Sequence, residues 1–70
     1  MKKFETIDYN NFSSVVYHPE TGGLPYLIGR IIPHNHGFDA FAMPSGLMLT
    51  VLATKQEAVE AIINEFMKAT

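Results

Sequence analysis

Seventy residues, 47% of them apolar and 17% charged, with neither Cys nor Trp, make one small domain that has no disulfide or thiolate–metal staple to stabilise it. Five Lys/Arg against seven Asp/Glu leave a net charge of −2, which argues against a dedicated nucleic-acid domain, whose affinity rests on a basic excess. The charged share lies below the ordinary value of about 25%, so the surface is unusually apolar for its size. No run approaches the roughly 18 apolar residues of a membrane span. Phe4-Glu5-Thr6-Ile7-Asp8, after Met1-Lys2-Lys3, lacks the apolar stretch of a secretory leader, so a cytoplasmic location is expected.

Residues 1–12 keep no single period, and Asn10-Asn11 marks a turn; this segment is read as an N-terminal arm or a short strand. Residues 13–53 alternate between β-branched or aromatic runs and Pro/Gly breaks. The runs are Ser13–Tyr17, Tyr26–Ile32, Gly37–Ala42 and Leu47–Ala53. The breaks are His18-Pro19-Glu20-Thr21-Gly22-Gly23, Pro33-His34-Asn35-His36-Gly37 and Met43-Pro44-Ser45-Gly46. Thr54-Lys55-Gln56-Glu57 then has the form of a capping box, a hydroxyl followed three residues later by a carboxylate. Val59, Ile62, Ile63 and Phe66 follow at helical spacing, which predicts a helix over 55–68. The fold class is therefore α+β: a three- to four-stranded antiparallel β-meander with one C-terminal α-helix packed on one face.

Alternation along the strands sorts the side chains into two faces. Leu27, Gly29 and Ile31 are placed under the helix, where Gly29 permits close approach. The predicted core is Leu27, Ile31, Phe38, Leu49, Val51, Val59, Ile62, Ile63 and Phe66. The other face would present Tyr26, Ile28, Arg30, Ile32, Phe41, Met48 and Leu52, a larger apolar patch than a lone domain usually exposes. A four-residue loop over 33–36 would set Arg30 opposite Asp39 and Ile28 opposite Phe41.

The residue types that carry chemistry are sparse. His34-Asn35-His36, with His18 from another loop, is the one cluster of metal-ligand type. Without a nearby carboxylate or Cys it reads first as a polar turn. Ser45 in Met43-Pro44-Ser45-Gly46 lacks the small flanking residues of a nucleophile elbow, and nothing links it, Ser13 or Ser14 to a base. Asp8, Glu20 and Asp39 sit on separate elements with no spacing that brings a pair together. Thr21-Gly22-Gly23-Leu24-Pro25 lacks the Lys-Ser/Thr of a phosphate loop. The chain is accordingly read as non-enzymatic, with no cofactor implied.

Strands followed by one capped helix, across residues 26–68, resemble in layout the arm-binding domains of phage-type integrases and the plant AP2-type domain. Those modules carry several Arg/Lys on the sheet where this chain has Arg30 alone. Small size and simple composition are likewise similar to accessory proteins of phages and plasmids. The leading expectation is a protein-interaction module that self-associates as a homodimer or binds a protein partner through the second sheet face. The alternative is a small nucleic-acid-binding regulator using Lys2, Lys3, Tyr26 and Arg30, with Tyr17 and Phe41 as stacking platforms. A weak metal or ligand site at His34 and His36 is the third.

Overall fold

The N-terminal segment pairs as a strand, so the computed structural model, which describes residues 3–43 and 45–69, has five strands rather than three or four. They are β1 (Lys3–Asp8), β2 (Ser13–His18), β3 (Tyr26–His34), β4 (Gly37–Ala42) and β5 (Met48–Leu52). Each pairs antiparallel with its chain neighbour, giving one sheet in the order β1-β2-β3-β4-β5. One helix, α1 (Lys55–Ala69), lies across the same face of β3, β4 and β5. The architecture is thus α+β, an antiparallel sheet with one C-terminal helix packed on it.

The helix starts where the capping pattern predicts. The Glu57 N–H donates to Thr54 Oγ1 at 3.1 Å, and the Thr54 hydroxyl donates to Glu57 Oε1 at 3.4 Å. This satisfies one of the amides that a helix start leaves without an intrahelical partner. Ala58, Ile62 and Phe66, four residues apart, form the buried stripe, flanked by the partly buried Val59 and Ile63. They pack on Val15, Ile28, Ile31 and Ala40 of the sheet. At its far end, Phe66 enters a cup of rings, with Tyr17 at 4.9 Å, Phe4 at 6.0 Å and Tyr26 at 6.2 Å between centroids.

Gly29 sets the depth of this contact. A Cβ there would lie 2.5 Å from Ile62 Cγ2 and 2.8 Å from the Phe41 carbonyl oxygen. Both distances are inside contact, so the helix rests on the bare backbone of β3.

Two β-bulges correct the expected faces. Val15 pairs with Gly29 and Val16 with Leu27, so Ile28 is an extra residue in β3. A bulge reverses the alternation on one side of itself. Ile28, expected on the second face, is 1% exposed in the core, and Tyr26 turns its ring toward Phe66. Leu27, expected in the core, moves to the opposite face. The second bulge lies in β5: Phe38 pairs with Leu52 and Ala40 with Leu49, so Thr50 and Val51 together oppose Asp39. Leu52, also expected on the second face, packs against the core instead. Val51, expected in the core, is 61% exposed.

The β3–β4 hairpin is also tighter than expected. Pro33 pairs with Phe38 and His34 with Gly37, leaving Asn35-His36 as a two-residue turn. Pro33 is tolerated because β3 runs beyond β2 there, so its missing N–H removes no ladder bond on that side. The register moves by two, which preserves each residue's face but changes its partner: Arg30 lies opposite Phe41, and Asp39 opposite Ile32.

Gly29→Ala is expected to lower unfolding stability by about 1–3 kcal/mol, because Ile62 has to shift and the Phe41 carbonyl cannot follow. Urea unfolding measures it, and an unchanged midpoint would show that the helix does not rest on the β3 backbone.

Candidate functional site: the open sheet face

The helix covers one face of the sheet, and β1 joins the edge rather than folding across the other. Strand parity, corrected for the two bulges, places Arg30, Ile32, Phe41 and Met48 together on that second face, with Leu27, Val16 and Ile7 toward β1. Ile32 is 46% and Met48 57% exposed, and Phe41 is partly exposed between them. Of the seven residues expected here, these four are brought together. Tyr26, Ile28 and Leu52 belong to the helix side.

One corner of the face is covered by the β1–β2 turn. The Tyr9 N–H donates to the Phe12 carbonyl at 2.8 Å, which folds the turn back so that the two rings stack at 4.8 Å. The Arg30 guanidinium lies over the Phe12 ring, 5.3 Å from its centroid. Such a contact is worth about 0.5–1 kcal/mol at an exposed site. Phe12 carries no local sequence signal for this role, because the contact depends on the register of β2 against β3. Ser14, beside Arg30 in the ladder, is buried at this corner.

The carboxylates of this face are already engaged. Glu5 accepts a hydrogen bond from, or pairs with, the His18 ring at 2.8 Å. Asp39 Oδ1 lies 2.9 Å from His34 Nε2 and accepts the Val51 N–H at 3.1 Å. The His36 N–H donates to His34 Nδ1 at 3.1 Å, which assigns the His34 proton to Nε2, facing Asp39. Both nitrogens of His34 are thereby committed within the turn, and the His34 and His36 rings stand 6.3 Å apart. Among the described residues no three His, Asp or Glu side chains converge as metal ligands. Arg30, expected to pair with Asp39, has no carboxylate at ion-pair distance among the described residues.

Asp39 supports a strained backbone. Val51 has φ +59°, a conformation that suits Gly or Asn and that a β-branched residue rarely adopts. The extra residue of a bulge leaves an amide without a ladder partner, and the Asp39 carboxylate accepts it. The Val51 amide, followed by His34, holds the Asp39 carboxyl below its ordinary value of 3.8. On the helix side, the Lys55 ammonium and then the Ser13 hydroxyl lower Asp8 in the same way. Ser13 donates to Asp8 at 2.7 Å, and Lys55 pairs with the same carboxylate, which ties the helix start to the first hairpin.

The residues of the nucleic-acid reading divide between the two sides of the sheet. Arg30, Phe41 and Lys3 belong to the open face by parity, while Tyr26 and Tyr17 join the ring cluster around Phe66 on the helix side. Lys2 lies outside the described residues. Among the described residues no helix is long and apolar enough to cross a membrane. No family model, no curated protein and no solved structure matches the chain.

Two outcomes follow. A carboxyl whose pKa is lowered by folding contributes stability above about pH 3.8 that fades as the pH falls through the lowered value. Asp39→Asn is therefore expected to flatten the loss of Tm between about pH 5 and pH 2, with Asp8 supplying the residual slope. An unaltered slope would remove Asp39 from this role. Val51→Asn, which relieves the backbone while leaving its amide in place, is expected to gain about 1 kcal/mol in urea unfolding. An unchanged or lower midpoint would contradict the strain.

Proposed function

We propose that this protein is a non-enzymatic protein-interaction module that docks a protein partner through the open face of its sheet. The observation that carries the reading is the exposure of Ile32, Phe41 and Met48 side by side on a face that no element of the described chain covers. Scattered apolar side chains are normal on a surface, but a contiguous set of this kind marks a contact site. The chemistry beside it supports binding rather than turnover: the His and Asp side chains of this face are occupied by one another and by backbone amides.

The dimensions suggest the class of complex. Five strands at about 4.8 Å spacing and six residues at about 3.3 Å give a face of roughly 24 by 20 Å. That projects to about 500 Å², short of the ~800 Å² each partner contributes to a standard interface. The expected complex is accordingly a small, transient one.

The test is a random-peptide display selection against the folded protein, with the selected peptides titrated against variants. Phe41→Glu and Ile32→Glu are expected to keep the parent's Tm within a few degrees and to weaken the peptides at least tenfold. Glu60→Lys, on the exposed side of the helix, should leave binding unchanged. Ile28→Glu, by contrast, buries a charge and should unfold the domain. Peptides that bind Phe41→Glu and Ile32→Glu as tightly as the parent would overturn the reading.

A further inference from the structure

We infer that the partner of the open face presents a carboxylate set among apolar side chains, and that Arg30, stacked on Phe12, is the anchor that receives it. The inference rests on the proposed docking role of this face and names its partner chemistry. Arg30 stands at the middle of β3, the third of five strands, and its guanidinium reaches toward Phe12, so its charge borders the apolar residues on the β1–β2 side. Ile32 neighbours it on the same strand, and Phe41 lies directly opposite with Met48 beyond. A cation in that position loses water when any partner docks, and an unneutralised buried charge is strongly unfavourable.

Among the described residues no carboxylate neutralises Arg30. Asp39, the carboxylate diagonal to Arg30, is turned to His34 and to the Val51 amide. Glu5 is turned to His18. The guanidinium lies over the Phe12 ring instead, and among the described residues no hydrogen bond or ion pair engages its N–H groups, which a carboxylate can take. Stacking also fixes part of the side chain before binding, which lowers the ordering entropy that binding has to overcome.

The same placement argues against the other occupants. A second copy packed face to face would offer Arg30 only Glu5 and Asp39, which are already turned to His18 and His34. Nucleic acid would meet Arg30 and Lys3 balanced by Glu5 and Asp39, with no cationic excess to displace counterions. An acidic, apolar protein segment answers both the charge and the side chains around it.

The peptides selected by display decide the matter. They are expected to be enriched in Asp or Glu flanked by Leu, Ile or Phe. Arg30→Gln should weaken them at least tenfold while lowering the Tm by no more than the few degrees that losing the Phe12 contact costs, and Arg30→Lys should restore binding only in part. Peptides with the acid replaced by Lys should bind Arg30→Glu better than the parent. Peptides that need Ile32 and Phe41 but show no acid preference and no loss on Arg30→Gln would overturn this inference and leave the docking face standing. Peptides indifferent to Ile32→Glu and Phe41→Glu would overturn the docking face itself. Two further probes each have an excluding outcome. A micromolar dimer in sedimentation equilibrium that is lost on Phe41→Glu would assign the face to a second copy. Oligothymidylate that binds at low salt, competes with the peptides and is lost on Arg30→Gln would assign it to nucleic acid.

Discussion

The contact between Ile62 and the backbone of β3 is the constraint on which the remaining packing depends. Because Gly29 has no side chain, the helix descends onto the middle of the sheet instead of riding on a layer of β3 side chains. That depth lets small residues such as Ala40 and Ala58 contribute to a closed core. It also brings Phe66 within reach of Tyr17 and Phe4, so that even the first strand is tied to the helix through rings. A chain of this length buries only about 60% of its unfolded surface. Close approach at one glycine is how this one packs a core without disulfides.

A single helix seated so deeply on one side leaves the other side of the sheet to be managed by other means. The β1–β2 turn manages one corner, with Tyr9, Phe12 and Arg30 stacked in sequence. The β3–β4 turn manages its own end, with His34 and Asp39 absorbing each other's polarity and that of the neighbouring amides. Between the two lies the apolar strip of Ile32, Phe41 and Met48. The division is chemical as well as spatial: the His and Asp groups of this face are satisfied by one another and by backbone amides, while its central apolar groups have no covering element among the described residues.

What could be read from the residues was local. The helix boundaries, its cap, its apolar stripe and the role of Gly29 follow from spacing and turn chemistry within a few positions of one another. The second face was legible only where alternation runs unbroken. Arg30, Ile32, Phe41 and Met48 share one face because no bulge separates them from one another. Tyr26 and Ile28 lie on the far side of the β3 bulge, and Leu52 on the far side of the β5 bulge, so all three were assigned to the wrong side. A bulge adds one residue through pairing between strands; Thr50-Val51 carries no signal of it, and Gly29 in Tyr26–Gly29 fits a close approach of the helix as well as a bulge. At the second bulge the positive φ falls on Val51 rather than on a glycine. The partner of Arg30 was hidden for a related reason: Phe12 meets it only through a register that two strands settle together.

The order of elements along the chain has a consequence for biosynthesis. All five strands precede the helix, and each pairs with its neighbour in sequence, so the meander can zip hairpin by hairpin with little loop-closure entropy to overcome. Yet Ala58, Ile62 and Phe66, which seal the core, are the last of the packed residues to leave the ribosome. Until then the sheet has two bare faces, and Val15, Ile28 and Ile31 are as exposed as Ile32 and Phe41 will remain. The nascent chain therefore passes through a stage in which either face is open to chaperones and to other nascent chains, and arrival of the helix is the event that gives the sheet an inside and an outside.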